Sequence, residues 1–197
     1  MINSSVEGDK IICTIPTFAV KKIDWQPGLT EEMLAAIDAL QYARINKNAL
    51  LFSERFWKDE SFDMITDMPG HYFYHATKNQ NSTKGALISY TIGDKAAVVA
   101  NQTDEWRADM IQQSLNPAFP DIKHLLEKQE NFYWGNNDYS RGAYAIYGKG
   151  QWFGLFDKLN KPHINTYFAG EHLSENWGGF MEGALETGKE AVANILS

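Results

Sequence analysis

A glycine-rich stretch near the carboxyl end of the chain carries the clearest signal for chemistry. It runs from Tyr167 through Glu171 and His172, and continues from Trp177 to Ala184 as Trp-Gly-Gly-Phe-Met-Glu-Gly-Ala. The order predicts a short strand, a Gly-Glu turn, a loop and a helix whose first turn is made of glycines. Free N–H groups at a helix start, together with the positive end of the helix dipole, favour an anionic or electron-rich ligand. The stretch therefore predicts a binding site for such a ligand.

The helix that follows carries a regular series of apolar residues. Because the series has the spacing of one helical face, it predicts that this side of the helix packs into the core. Its members are Met181, Ala184, Leu185, Gly188, Ala191, Val192 and Ile195. A buried helix opened by glycines is thus the element expected to position the site.

Other reactive residue types lack the spacing of a metal or nucleophile site. His71 and His75 lie four apart in a strand-like run, so no metal site is expected. The order of residues suggests no Ser-His-Asp or Cys-His constellation. The one cysteine, Cys13, lies in an apolar run that is typical of a core residue. The chemistry is therefore expected at the glycine-rich stretch.

Composition places the chain among globular proteins. Its 197 residues suffice for one domain or two small ones, with 44% hydrophobic and 13% aromatic residues. A net charge of -7 without a basic patch argues against a nucleic-acid partner. No run approaches the roughly twenty apolar residues of a membrane helix, and the first residues carry no signal core. The sequence predicts a soluble, cytoplasmic protein without a membrane partner.

Hydrophobic periodicity and capping residues predict an α/β chain of the mixed α+β kind. Strands are expected at Lys10 to Ile15, Lys47 to Ser53, His71 to Thr77, Gly85 to Thr91 and Phe132 to Trp134. Helices are expected after Thr30 and at Asp94 to Ala100, Thr103 to Leu115 and Pro120 to Lys128. Thr30 and Thr103 are the expected N-caps. Together these elements indicate a mixed or antiparallel sheet with flanking helices.

The glycine-rich stretch closely resembles the C-terminal flavin-binding signature of the FAD-dependent amine oxidases, the family of monoamine, polyamine and L-amino-acid oxidases. In those enzymes a strand ending in Phe-Ala-Gly-Glu is followed by Trp-x-Gly-(Tyr/Phe)-Met-Glu-Gly-Ala, and this chain agrees from Phe168 to Ala184. The resemblance implies oxidative deamination, in which hydride passes from an amine-bearing carbon to FAD and oxygen becomes hydrogen peroxide. The substrate would be a small-molecule amine or amino acid.

The resemblance also assigns cofactor contacts to individual positions. Gly170 and Glu171 would bind the cofactor, and the Glu171 carboxylate would accept hydrogen bonds from its sugar-alcohol chain. The backbone N–H groups of Gly179, Phe180 and Met181 would face the pyrimidine edge of the flavin ring and stabilise negative charge on the reduced form.

Four side chains complete the site that the resemblance implies. Tyr144 and Phe180 would form an aromatic cage for an apolar or cationic substrate, and Trp134 would contact the flavin. Lys47, which stands ten residues before Trp57, would hold a water at flavin N5 that assists reoxidation by oxygen. These residues are the expected catalytic and binding groups.

One departure from the family pattern concerns the link to the cofactor. Monoamine oxidases carry a Gly-Cys-Tyr triplet whose cysteine bonds the flavin covalently, whereas this chain has Gly142-Ala143-Tyr144. Because alanine has no nucleophile, FAD is expected to bind noncovalently. An amino-acid substrate would also need a cation for its carboxylate. The sequence does not say which arginine, if any, has this role among Arg44, Arg55, Arg107 and Arg141, and Arg141 is the nearest candidate in sequence.

The sequence lacks the strand-Gly-x-Gly-x-x-Gly-helix unit that seats the pyrophosphate in this family. We therefore expect an incomplete flavin amine oxidase fold, with residues 1–25 and 144–197 in the FAD-binding domain and residues 26–143 in the substrate domain. The chain is then the C-terminal fragment of an amine or amino-acid oxidase, inactive in isolation. The alternative is a non-catalytic truncated module or split-enzyme subunit that cannot bind FAD by itself. It would associate with a missing N-terminal FAD-binding chain or form a homo-oligomer.

Overall fold

The structure, a computed structural model, describes residues 4–197. Its strands are β1 Ile11–Cys13, β2 Gln41–Tyr42, β3 Ile45–Phe52, β4 Asp63–Ile65, β5 Tyr72–His75, β6 Gly85–Ile92, β7 Leu126–Tyr133, β8 Ala145–Ile146 and β9 Thr166–Phe168. Its α-helices are α1 Thr17–Val20, α2 Glu31–Ala39, α3 Asp94–Ala100, α4 Asp104–Leu115, α5 Gln151–Asn160 and α6 Met181–Leu196. The first three residues of the predicted FAD-binding domain lie outside the described residues. The mixture of helices and strands confirms the predicted fold class.

Two compact units make up the chain. One combines the residues up to Tyr42 with Tyr144–Ser197, and the other is Ala43–Ala143. The predicted substrate domain ends where the second unit ends, but its residues 26–42 lie in the first unit, where α2 packs against α5. Which unit serves the cofactor and which the substrate stays a prediction.

The second unit is built on a five-stranded sheet in the order β4-β5-β6-β3-β7. Every pairing in it is antiparallel, and β3 pairs with β6 along its whole length, from Ile45 opposite Ile92 to Phe52 opposite Gly85. Burial alternates along β6 because successive side chains of a strand point to opposite faces. Of the two sheet types that the sequence allowed, the antiparallel one forms.

One face of this sheet packs on α3 and α4 to form the core of the second unit. Thr103 begins α4, since its side chain accepts the N–H of Trp106, as the sequence predicted. Each large apolar side chain buried here stabilises the fold by about 1.5–3 kcal/mol. The side chains that are at most 1% exposed in this core are Leu50, Phe52, Phe73, Leu87, Val99, Ile111 and Leu115.

The helix predicted from Pro120 to Lys128 is wrong. Only a 3-10 turn forms at Lys123–Leu125, and the chain continues as β7, which pairs with β3 at the edge of the sheet. The segment Leu126-Glu-Lys-Gln-Glu consists of good helix formers. Pairing with β3 gives this segment backbone partners on one side, with a register shift between Leu51 and Phe52, so tertiary context overrides local propensity.

The first unit holds two small sheets and a helical core. β1 pairs with β9 in parallel and β2 pairs with β8 antiparallel. Thr30 caps α2 by accepting the N–H of Met33, as predicted. The core between α2, α5 and their neighbours contains Val20, Met33, Ala36, Ile37, Leu40, Leu159 and Leu173.

Helix α6 differs from its prediction at its start and in its buried face. Gly178 and Gly179 lie in the turn before the helix, and Phe180 is the N-cap. The buried side is formed by Gly183, Thr187 and Ala191. Of the apolar series predicted to face inward, Ala191 alone is buried in the described chain. Exposed or half-buried are Met181, Ala184, Leu185, Gly188, Val192 and Ile195, which we call the outer α6 face.

Candidate functional site

The turn that follows β9 is fixed by a buried threonine of α6. The Thr187 hydroxyl accepts the N–H of Gly170 at 2.9 Å and donates to the carbonyl oxygen of Gly183, also at 2.9 Å. A side-chain Cβ at Gly170 would lie 2.5 Å from the His172 ring, so the turn accepts glycine only. The sequence analysis missed Thr187. An available signal was its hydroxyl, which has a small residue one helical turn before it, Gly183, and another one turn after it, Ala191.

Replacing Thr187 by valine tests this anchor. Thr187→Val keeps the shape but leaves the Gly170 N–H without its acceptor, which we expect to lower the free energy of unfolding by about 1–3 kcal/mol. Urea unfolding followed by circular dichroism measures the change. Thr187→Ser keeps the hydroxyl and is expected to lose much less; equal losses in the two variants would contradict a hydrogen-bonding role.

Glu171 lies at the start of the 3-10 turn Glu171–Leu173, and both of its carboxylate oxygens accept backbone N–H groups. Oε1 accepts from Ala145 at 3.2 Å and Oε2 accepts from Gly179 at 2.8 Å. The carboxylate thus links β8 to the glycine turn before α6. Its predicted contact with a cofactor stays a prediction.

Tyr144 lies against the same glycine turn. Gly179 has φ +82°, which an L side chain rarely adopts, and a Cβ there would lie 3.4 Å from the Tyr144 ring. The turn therefore presents bare backbone to the Tyr144 side chain. Phe180, the next residue, packs edge-on against Trp177 with ring centroids 6.4 Å apart and is 65% exposed. The structure thus brings Tyr144 together with Gly179 and leaves the Phe180 ring available to a ligand.

The start of α6 has donors that no side chain caps. Phe180 makes no side-chain capping bond, and its own N–H donates to the Trp177 carbonyl oxygen at 3.1 Å. Of the three N–H groups predicted to face the flavin, those of Gly179 and Phe180 have protein acceptors, whereas the Met181 N–H has none among the described residues. The helix start can therefore still receive an acceptor from outside.

In the second unit, Lys47 lies in a row of aromatic side chains. The strand pairing sets it between Tyr90 on β6 and Phe132 on β7, and Tyr72 on β5 pairs with Tyr90. The Lys47 Nζ atom is 5.5 Å from the centre of the Tyr90 ring, a cation–π distance. We call Tyr72, Tyr90 and Phe132 the aromatic row. It occupies the sheet face opposite the core, and its members are half-buried or exposed.

Trp134 extends this row. It begins the 3-10 turn Trp134–Asn136 directly after β7, and its ring meets the Phe132 ring edge-on at 4.7 Å. Within the second unit, Lys47 and Trp134 are thus both neighbours of Phe132. Sequence reasoning missed Tyr90 and Phe132, which the two-residue period of their strands could have indicated.

Arg44, Arg55 and Arg107 are each paired with an acidic side chain. Arg44 pairs with Asp94 at 2.9 Å, and Arg55 pairs with Glu60 at 2.7 Å. Arg107 is buried and pairs with Asp104, and it also donates to backbone carbonyl oxygens. These three side chains hold loops and helix ends in the second unit.

A sequence model of the family described as flavin containing amine oxidoreductase matches residues 2–196. The chain belongs to this family.

Similar proteins agree with this membership of the flavin amine oxidoreductases. The L-amino-acid oxidase of Siganus canaliculatus is 27% identical over 201 residues, which cover 98% of this chain and 38% of the relative. That of Echis ocellatus is 25% identical over 199 residues, which cover 98% of this chain and 39% of the relative. The chain therefore spans about two fifths of the length of these relatives.

Solved structures show the same partial fold. Putrescine oxidase bound to putrescine matches with a TM-score of 0.85 at 19% identity, over 95% of this chain and 42% of that one. The cyclohexylamine oxidase of Brevibacterium oxydans matches with a TM-score of 0.83 at 20% identity, over 94% and 42%. The predicted incomplete flavin amine oxidase fold is confirmed.

Membership of the flavin amine oxidoreductases implies a flavin cofactor, FAD. The residues present fit the ring end of such a group, because the uncapped start of α6 offers a donor and Gly179 adds no side chain of its own beside the Tyr144 ring. Within residues 4–197 no cluster of three or more His, Cys, Asp or Glu side chains could hold a metal ion. None of the helices in the described part is long and apolar enough to span a bilayer.

Proposed function

We propose that this chain forms the flavin-ring and substrate side of an amine- or amino-acid-oxidising site in a larger enzyme. The observation that carries the proposal is the contact between Tyr144 and the Gly178–Gly179 turn, directly before a helix start that no side chain caps. A backbone without side chains suits a flat ring, and the helix start suits the negative charge that develops on it.

The residues have distinct tasks in this proposal. A bound FAD would supply the redox chemistry, hydride acceptance from the amine-bearing carbon and electron transfer to oxygen, with an imine and hydrogen peroxide as products. Tyr144 and Phe180 bind the apolar or cationic part of the substrate. Lys47 holds a water, and Trp134 and the Met181 N–H contact the cofactor. Because Ala143 has no nucleophile, the cofactor is held noncovalently.

A flavin titration tests the proposal. FAD is added to this chain alone and together with a chain that carries a Gly-x-Gly-x-x-Gly unit, and quenching of flavin fluorescence is followed. We expect weak binding alone and binding at least about tenfold tighter in the mixture, since the pyrophosphate gains its donors only there. Tight binding by this chain alone would contradict the incomplete site, and no binding in either arm would contradict the flavin proposal.

The aromatic cage is tested by two matched phenylalanine variants. In the flavin-loaded enzyme, Phe180→Ala is expected to raise the KM for benzylamine by about tenfold, because one aromatic contact of roughly 1–1.5 kcal/mol is lost. Phe153→Ala is the control, since Phe153 is 89% exposed on α5 of the same unit. Steady-state kinetics measure both, and an equal change in KM would remove Phe180 from the substrate site.

The outer α6 face favours a second candidate function. In it, the chain is a module that works only when another polypeptide covers this face. Met181, Leu185 and Val192 are 92%, 52% and 45% exposed, and a Cβ at Gly188 would meet no described atom within 4 Å. A large apolar surface of this kind marks an interaction site. We propose that its occupant is a chain with a parallel strand-helix unit, since β1 and β9 form a parallel pair of only two strands and such sheets are normally covered on both faces.

Charge on the outer α6 face tests this association. Leu185→Glu is expected to weaken binding of the Gly-x-Gly-x-x-Gly chain by about tenfold or more, because a carboxylate would be buried without a partner. Ala193→Glu carries the same charge on the exposed polar side of α6 and should leave binding unchanged. Sedimentation of the mixed chains measures the binding, and sedimentation of this chain alone distinguishes that association from the homo-oligomer that the sequence left open.

The cytoplasmic location stays a prediction.

A further inference from the structure

The Glu171 carboxylate joins two segments that are distant in sequence. Each segment contains a residue next to an aromatic residue of the proposed site. Ala145, whose N–H meets Oε1, directly follows Tyr144. Gly179, whose N–H meets Oε2, directly precedes Phe180. Each hydrogen bond therefore fixes the peptide group next to one of the two aromatic residues.

From these contacts we infer that Glu171 is a positioning residue, which ties the Tyr144 end of β8 to the glycine turn and so sets the placement of Tyr144 and Phe180. The inference rests on the proposed function only for the role of the two rings. The clamp itself rests on two hydrogen bonds of 3.2 Å and 2.8 Å within one compact unit.

The side-chain type at position 171 is determined by the clamp. Only a carboxylate has two acceptor oxygens that can each face a donor. A glutamine would turn its NH2 group toward one of the two N–H groups, and an aspartate is one methylene shorter. A charged acceptor also makes shorter and stronger hydrogen bonds to backbone N–H groups than a neutral one.

Two tyrosine side chains of the same unit respond to the charge of Glu171. The hydroxyl of Tyr147 donates to the His172 carbonyl oxygen at 2.7 Å. Burial raises the pKa of Tyr42 and of Tyr147, and the negative charge of Glu171 contributes in the same direction. The carboxylate therefore lies close to two tyrosine hydroxyls that stay protonated.

Amide hydrogen exchange of the full chain, measured residue by residue by NMR, tests the clamp. In Glu171→Gln we expect exchange at Ala145 or Gly179 to become about tenfold faster, and in Glu171→Ala at both, because their acceptor is lost. The nuclear Overhauser effect between the Tyr144 ring and Gly179 should weaken in Glu171→Ala. These readouts are local, so a shift of the urea midpoint alone would not produce them.

Glu186→Gln is the matched control. Glu186 is a carboxylate of the same unit that also uses both oxygens, accepting from Ser174 and from Asn176, and neither contact involves Ala145 or Gly179. Its variant should leave exchange at both amides unchanged. Unchanged exchange at both amides in Glu171→Ala, or the same change in Glu186→Gln, would overturn the inference.

A titration with benzylammonium chloride separates the inference from the proposed function. If the amide pattern changes as expected and benzylammonium shifts neither the Tyr144 nor the Phe180 resonances of the flavin-loaded enzyme, the clamp stands and the proposed substrate site fails. If benzylammonium binds and Glu171→Ala weakens it by about tenfold while Glu186→Gln does not, both stand.

Discussion

Gly183→Ala is expected to lower the free energy of unfolding by about 2–3 kcal/mol, although alanine is the better helix former. A Cβ at Gly183 would lie 2.3 Å from the carbonyl oxygen of Trp177 and 2.9 Å from the Cβ of Ser174. The first of these atoms belongs to the backbone, so α6 or the turn before it must shift. Urea unfolding followed by circular dichroism gives the change in midpoint.

The same helix offers a matched control in Gly188. An added Cβ there meets no described atom within 4 Å, so Gly188→Ala is expected to stabilise the chain by about 0.5–1 kcal/mol through helix propensity alone. The opposite signs expected for one substitution at two positions of α6 isolate the packing effect. Unchanged or raised stability in Gly183→Ala would show that α6 does not pack on the Trp177 turn through Gly183. Equal destabilisation by both variants would show that the loss is not specific to that contact.

Strands and caps were predictable where local sequence and tertiary context agree. Gly85 to Thr91 contains residues that favour strands, among them Ile88, Tyr90 and Thr91, and β6 occupies Gly85–Ile92. Thr30 and Thr103 each precede a helical apolar pattern, and each side chain accepts the N–H three residues later. A cap forms within a few residues of chain, so the sequence contains all the partners that it needs.

The buried side of α6 could not be predicted because the helix is apolar over more than one face. The predicted series and the observed Gly183–Thr187–Ala191 side both have helical spacing. Thr187 is polar but is 2% exposed, since its hydroxyl is satisfied by the Gly170 N–H and the Gly183 carbonyl oxygen. Periodicity indicates that a helix has an apolar face, and only the neighbours decide which face is covered.

At the candidate site, the sequence predicted residue types but not their hydrogen-bond partners. The resemblance carried the residue types at Tyr144, Glu171 and Phe180. The two backbone N–H groups that donate to Glu171 are 26 and 8 residues away from it in sequence, and no local sequence pattern indicates these hydrogen bonds. Tertiary geometry therefore supplied the partners of residues whose identity the sequence had already singled out.

The second large effect expected is a loss of stability as the pH falls from 7.5 to 5, caused by His172. This side chain is 7% exposed, and its burial lowers its pKa from 6.5 to about 4. The unfolded chain binds the proton near pH 6.5, so it binds more protons than the folded chain between pH 6.5 and 4. The free energy of unfolding is therefore constant above pH 7.5 and falls by about 2 kcal/mol on reaching pH 5.

The pH range and the variants separate the effect of His172 from that of Glu186 and from that of an exposed histidine. The pKa of Glu186 is lowered from 4.5 by hydrogen bonds to Ser174 and Asn176, so its loss of stability begins only below the chosen range. His172→Gln should flatten the pH dependence, whereas His124→Gln, at a side chain that is 65% exposed, should leave it unchanged. The apolar groups around His172 include Val20, Met33, Ile37, Leu159 and Phe168.

Urea midpoints at several pH values for the three proteins give the comparison. A slope that survives in His172→Gln would mean that protons are taken up elsewhere. In that case His172 is not the buried base that makes the first unit sensitive to acid. A slope that disappears only in His172→Gln would connect acid sensitivity to the same 3-10 turn that holds Glu171. Acidification would then loosen the turn on which the placement of Tyr144 and Phe180 depends.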